Sequence, residues 1–185
     1  MARILGIDFG SSTTDFIVLD NKKIVYENQM VSKPIEYILP ELEQKDFKKI
    51  DEIHVTGHGA APFPKYFNGF KVSKIDEIEA IALGTKFFFN KNDFLAASLG
   101  SGTCFVSYKK GRIKHVGGTP IGGMTLVGLS KLLFGLDDFK TIEKLATKGN
   151  LGSVDLELKD IYPQGLGALK KDATASHFGK IKNPK

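Results

Sequence analysis

The chain predicts an α/β fold of two related halves facing a cleft, and three observations carry that prediction. Ile4-Leu-Gly-Ile-Asp-Phe-Gly-Ser-Ser-Thr-Thr-Asp15 and Leu95-Ala-Ala-Ser-Leu-Gly-Ser-Gly-Thr-Cys-Phe-Val-Ser-Tyr108 each read as an apolar strand, a turn of small residues and a second strand. Each is followed by a tight turn and a third strand, a weak internal repeat. Helical and strand patterns alternate between the two copies, the order expected where helices cover mixed sheets.

In order, the strands are Arg3–Asp8, Thr14–Asp20 and Lys23–Asn28, with Asp20-Asn-Lys-Lys23 as a hairpin turn. An amphipathic segment over Ile35–Phe47 is interrupted by Pro40, and a strand at Glu52–Thr56 runs into Thr56-Gly-His-Gly-Ala60. Phe70–Val72 reads as a short strand. Ser73-Lys-Ile-Asp76 fits a capping box, which predicts a helix from there to about Phe89 with Ile78, Ile81, Ala82 and Thr85 on one face.

The pattern then restarts with strands Phe94–Leu99, Thr103–Lys109 and Arg112–Val116. A glycine-rich loop, Gly117–Gly123, leads into a helix with Leu126, Leu129 and Leu133 at helical spacing, its N-terminus expected to point at the same cleft. Asp138–Lys148 predicts a further helix closed by Gly149. Val154–Tyr162 is too short to classify, and the remainder reads as loop and tail. The expected organisation is 1–92 for the first half and 93–185 for the start of the second, with a loop for the substrate, helices and a basic tail.

Composition narrows the function. With 185 residues and 42% hydrophobic, the chain can bury a real core. No apolar run approaches the ~18 residues of a membrane span and no export signal opens the chain, so a cytoplasmic location without membrane contact is expected. Residues 170–185 hold five lysines and one aspartate, which places four of the five net positive charges there. No aromatic-interleaved basic stripe accompanies them, and nucleic acid is not an expected partner. Cys104 is the only cysteine, which excludes an internal disulfide and argues against a Cys-pair metal or redox centre within one chain.

The hairpins carry the chemistry. Small residues leave no side chain over a turn, so successive amides and hydroxyls can converge on an anion. Two such turns suggest a phosphate clamp built from Gly10, Ser11, Ser12 and Thr13 together with Gly100, Ser101, Gly102 and Thr103. Asp8 stands beside the first turn as a carboxylate at a strand end.

With these residues in view, the chain resembles the sugar kinase, Hsp70 and actin superfamily, and within it the type II pantothenate kinases. The resemblance rests on Gly6–Gly10, Thr56–Ala60, Asp76–Ala80, Leu99–Gly102, Gly118–Gly123 with Leu129–Leu133, Ala146–Gly149, Val154-Asp155 with Lys159–Tyr162, and Ala175-Ser-His-Phe-Gly179. It implies an actin-like ATPase (ribonuclease H-like) fold with an incomplete second half. It also implies ATP and Mg²⁺ as cofactors, pantothenate as substrate, a homodimer or a completing partner chain, and a CoA or acyl-CoA regulator. By resemblance Glu77 is the catalytic base, Asp8 holds Mg²⁺ through water, and Gly122 and Gly123 join the phosphate site. Ser101, Cys104, His115, Gly118 and Thr119 would line the substrate.

Three positions depart from the family pattern. Asp15 stands where the family carries Lys, so either its side chain points away from the phosphates or the nucleotide sits differently. His115 replaces an Arg that would grip a carboxylate, and Met124 replaces the third glycine of the loop. The alternative reading is therefore a diverged, non-catalytic homologue that binds a nucleotide or CoA thioester as a subunit or regulator. A third candidate, the related activator of acyl-CoA dehydratases, needs cysteines to bridge a cluster between subunits, and Cys104 offers no pair.

Overall fold

The structure is a computed structural model and describes residues 2–44 and 50–181. The chain forms two compact units, Met1–Leu129 and Ser130–Lys185.

In the first unit, β1 (Arg3–Phe9), β2 (Thr13–Asp20) and β3 (Lys23–Val31) form an antiparallel meander. β1 also pairs in parallel with β4 (Glu52–Thr56), which pairs in parallel with β6 (Phe70–Lys74). The short β5 (Tyr66–Phe67) completes a sheet of order β3-β2-β1-β4-β6-β5. Strand alternation sends Leu5, Ile7, Phe9, Phe16, Val18, Ile53, Val55 and Val72 to one face, where they bury against Ile38 of α1 (Ile35–Gln44). The expected interruption at Pro40 is not a break, because α1 runs across it. The missing Pro40 N–H removes one hydrogen bond of the helix, while Ile38 is fully buried and Ile35 and Leu39 pack on the same core. The expected continuation to Phe47 lies outside the described residues.

The second sheet of this unit is β7 (Asp93–Leu99), β8 (Thr103–Lys109) and β9 (Arg112–Thr119), antiparallel in that order. α2 (Glu77–Phe89) packs on one face through Ile78, Ile81 and Ala82 against Val106, Tyr108, Phe94, Cys104 and Ile113. Phe94 stacks on Tyr108 at 5.1 Å, and Lys86 donates to the Tyr108 hydroxyl at 2.7 Å. The boundary expected between residues 92 and 93 lies at the start of β7, whereas the two compact units divide between Leu129 and Ser130.

The capping box expected at Ser73 is displaced. Ser73 and Lys74 pair with His54 and Val55 as the end of β6, and the N-cap is Asp76, whose carboxylate accepts from Ile78 N at 2.9 Å and Glu79 N at 3.2 Å. Both are cap-type residues, and sheet pairing claims the first.

α3 (Gly123–Phe134) follows β9. Its expected apolar stripe is not covered, since Leu126, Leu129 and Leu133 are 46%, 46% and 60% exposed.

The second unit contains α4 (Phe139–Ala146), β10 (Leu156–Glu157), α5 (Leu158–Ile161) and β11 (Thr174–Ser176). Asp138, expected as the first residue of α4, is its N-cap, and the Asp138 carboxylate accepts from Thr141 N at 2.8 Å. The end of α4 is not a glycine cap, because Thr147 is helical and Gly149 has no positive φ.

The stretch expected to be loop and tail is built in. β10 pairs with β11, and buried Asp155 accepts from the Phe178 amide at 3.0 Å and from His177 Nδ1 at 2.8 Å. Lys180 belongs to the same framework, donating to the Gly152 carbonyl at 2.7 Å and pairing with Asp160 at 2.8 Å. Among the described residues, no helix is long and apolar enough to cross a membrane.

Candidate functional site

The uncovered face of the six-stranded sheet carries the opposite residues of each strand. Asp8 on β1 stands directly across from Asp15 on β2 and beside Thr56 on β4, so the three share that face. A cavity of about 720 Å³ opens there, lined by Asp8, Asp15, Gln29, His54 and Thr56 and, at the entry to α2, by Ile75 and Ala80. The Asp15 side chain lies on the Asp8 face, where Thr13 Oγ1 donates to it at 3.1 Å and Gln29 Nε2 at 2.7 Å. Gln29 is its cross-strand partner on β3.

Asp8 is solvent-open but set among charges. Crowding by surrounding atoms is the largest influence raising its carboxyl above the usual aspartate range, followed by the negative charges of Glu77 and Asp15, with His58 pulling the other way. Lys74 pairs with Val55, itself the partner of Ile7, and Ile75 N donates to Val55 O at 2.8 Å, so the chain enters α2 close to the end of β1. Asp76 fixes that helix start, so the cap residue aims its neighbour.

The hairpins meet. Ser12 Oγ and Ser101 Oγ lie 3.3 Å apart although 89 residues separate them. The first turn is braced from β3, since Ser32 donates through its amide to Ser12 O and through its hydroxyl to Gly10 O, both at 2.9 Å.

The second turn is braced by the glycine loop. Gly123 N donates to Gly100 O at 2.8 Å and Met124 N to Ser101 O at 3.3 Å. The Thr103 hydroxyl donates to Ile121 O at 2.7 Å, and the Thr119 hydroxyl accepts from Ile121 N at 3.2 Å. A Cβ on Gly122 would come within 2.5 Å of Ser101 O and 2.6 Å of the Gly102 Cα, so only glycine lets the loop lie against the hairpin. The first two amides of α3 are thus spent on the hairpin backbone.

The other expected residues separate into two groups. Gly118 and Thr119 sit opposite Cys104 and Thr103 at the hairpin end of β9. The Cys104 side chain packs in the cluster under α2. His115 is exposed and stands opposite Val106 beside the irregularity in β8 and β9, four residues and about 13 Å of strand from Thr119. Among the described residues, no three His, Cys, Asp or Glu side chains converge to hold a metal ion directly.

Sequence reasoning missed Gln29. Counting strand positions outward from the Asn21-Lys22 turn pairs Asp15 with Asn28; the register shift between Val18 and Leu19 brings Gln29 opposite Asp15 instead, and nothing local marks that shift.

Comparisons with known proteins bear on both fold and family. The component A structure of (R)-2-hydroxyglutaryl-CoA dehydratase from Acidaminococcus fermentans superposes with a TM-score of 0.57 at 17% identity, covering 81% of this chain and 60% of that one. A ROK family protein from Streptococcus pneumoniae gives 0.52 at 16% identity, covering 80% and 68%. The fold is thus that of the actin-like ATPases; identities this low carry nothing further. In sequence, the Type II pantothenate kinase of Bacillus anthracis is 31% identical over 192 residues, covering 97% of this chain and 67% of that protein, and that of Bacillus cereus strain AH820 is 30% identical over 186 residues with the same coverage. The Fumble family model matches residues 91–185, the part that holds the second hairpin, the glycine loop and the Asp155 framework. An actin-like ATPase fold, hairpins in contact and relatives matched along nearly the whole chain agree, and the chain belongs to the type II pantothenate kinase family.

Proposed function

We propose that this chain binds Mg-ATP between its two hairpins and transfers the γ-phosphoryl group to the hydroxyl of pantothenate, with Glu77 as base. The contact of Ser12 with Ser101 carries the reading, because phosphoryl transfer is catalysed mainly by holding the phosphates and aiming the acceptor. Small hydroxyl residues on both turns supply donors to a chain of phosphate oxygens. The Type II pantothenate kinases among its relatives supply the acceptor.

Carboxylate oxygens suit magnesium, which keeps much of its water shell and binds through one or two carboxylates. Asp8, already crowded by Asp15 and Glu77, has the donor chemistry to hold it. When bound, the ion supplies positive charge to the phosphates. Glu77, at the exposed start of α2, accepts the proton of the attacking hydroxyl. Asp76 keeps that carboxylate at the mouth of the cleft, and Gly118 and Thr119 border the acceptor.

Incubation of the chain with ATP, Mg²⁺ and pantothenate should form ADP and phosphopantothenate, and Glu77→Gln should abolish both while leaving ATP binding intact. Equal turnover by Glu77→Gln refutes the base assignment.

A second reading is favoured by Asp15, a negative charge held on the phosphate side by Thr13 and Gln29. There the chain binds nucleotide or CoA thioester as a subunit or regulator, and calorimetry shows binding without turnover.

A further inference from the structure

We propose that Gly57 is a positioning residue for the Asp8 carboxylate: by lacking a Cβ it leaves the space that carboxylate occupies beside the end of β4. The proposal rests on the reading of Asp8 as the group that holds the metal of Mg-ATP.

β4 ends at Thr56, the parallel partner of Asp8, and the chain turns at once through Gly57, φ 85°, into the short turn His58–Ala60. A Cβ on Gly57 would collide with Asp8 Oδ1, and would lie 2.5 Å from the Phe9 carbonyl oxygen and 2.7 Å from its carbon. At Gly59 the same construction meets only Phe9, at 3.0 Å from its Cβ. Gly57 is therefore the one glycine of this turn whose bare Cα faces the carboxylate. Asp15 lies across β2 and Glu77 is also close enough to repel Asp8, so like charges flank it. Room beside Gly57, with His58 next in sequence as the attractive neighbour, is what allows the carboxylate to stay at the mouth of the cavity.

Positive φ alone would also ask for glycine, so the test separates strain from contact. Gly69 has φ 82° and nothing within 4 Å of its would-be Cβ, which makes Gly69→Ala the strain-only control. ATP binding is measured by calorimetry with and without Mg²⁺, and the ratio of the two affinities is the readout. Gly57→Ala should cut that ratio roughly tenfold, within the coupling range of residues in contact, whereas Gly69→Ala should leave it within about twofold. In an Asp8→Ala background, Gly57→Ala should change the ratio no further, because the group it acts through is gone.

Thermal unfolding supplies a readout that needs no nucleotide. Gly57→Ala should destabilise the Asp8→Ala protein less than the unmodified one, and folding of Gly57→Ala only in the Asp8→Ala background supports the proposal in the same way. Equal costs, failure to fold in both backgrounds, or a ratio like that of Gly69→Ala overturns it. If the unmodified chain binds ATP no better with Mg²⁺, the assignment of Asp8 itself fails and this proposal falls with it. If the unmodified chain does respond to Mg²⁺ and Gly57→Ala responds equally, only the role of Gly57 is lost.

Discussion

Gly122→Ala tests how tightly the glycine loop is locked to the second hairpin. The new Cβ would stand 2.5 Å from Ser101 O, 2.6 Å from the Gly102 Cα and 2.7 Å from its carbonyl carbon, all backbone atoms with no rotamer to escape into. Restoring ordinary contact asks for a shift of about 0.9 Å between loop and hairpin. The bond from Gly123 N to Gly100 O is 2.8 Å and that from Thr103 Oγ1 to Ile121 O is 2.7 Å. A shift of that size carries either beyond hydrogen-bonding range, as it does the 3.3 Å bond from Met124 N to Ser101 O. Two or three lost bonds at about 1 kcal/mol each give about 2–3 kcal/mol, which also lies within the usual cost of overpacking. For a chain of this size that lowers the unfolding midpoint by roughly 5–10 °C.

Gly128→Ala is the counterpart. It lies inside α3 with nothing within 4 Å of its would-be Cβ, so it should stabilise by about 0.5–1 kcal/mol through helix propensity. Thermal unfolding followed by circular dichroism compares the two, and ATP binding should weaken in Gly122→Ala alone. A Gly122→Ala midpoint at or above that of the unmodified chain would refute the packing argument.

Three further outcomes follow from the site and its supports. Asp76→Ala should cost about 1 kcal/mol by removing the cap of α2, and should lower turnover more than ATP affinity because Glu77 loses its fixed start; unchanged turnover in a folded variant counts against that aim. Asp15→Asn should tighten ATP binding about three- to tenfold, the effect of one unit charge at ~6 Å in a medium between surface and bulk water, with unchanged or weaker affinity as the contrary result. Asp155 is held below the usual aspartate range chiefly by the Phe178 amide, with His177 adding to it. Its contribution is therefore present above the ordinary aspartate range and lost as pH falls through the lowered value, so amide exchange at Phe178 should accelerate in acid and Asp155→Asn should flatten that response.

Much of the first unit was legible because its signals are local. Alternating apolar residues placed β4 at Glu52–Thr56 and β8 at Thr103–Lys109 with the bounds observed. Local signals compete, however, and the sequence does not say which wins. Ser73 and Asp76 are both cap residues, and only pairing of β6 with β4 assigns the first to a strand. The segment 170–181 read as a charged tail because what orders it is remote. Asp155 reaches 22 and 23 residues along the chain to His177 and Phe178, and Lys180 reaches 28 to Gly152. None of these bonds leaves a periodicity.

Asp15 shows where residue type stops being informative at the site itself. As a charge in place of the family's lysine it invited two escapes, a side chain turned away or a displaced nucleotide, and residue type alone does not choose between them. Seven residues separate Asp8 from Asp15, and pairing across the hairpin puts them opposite each other on one face. Thr13 and Gln29 each donate to one oxygen of the Asp15 carboxylate, and both donors are neutral. The cleft therefore retains carboxylates from Asp8, Asp15 and Glu77 on the side where phosphates are proposed to bind. An anion entering such a place must bring its own cation, so the departure at Asp15 increases the dependence on metal that Asp8 already implies. The geometry of Asp15 thus bears on the charge state of the nucleotide this chain accepts before it bears on whether transfer occurs.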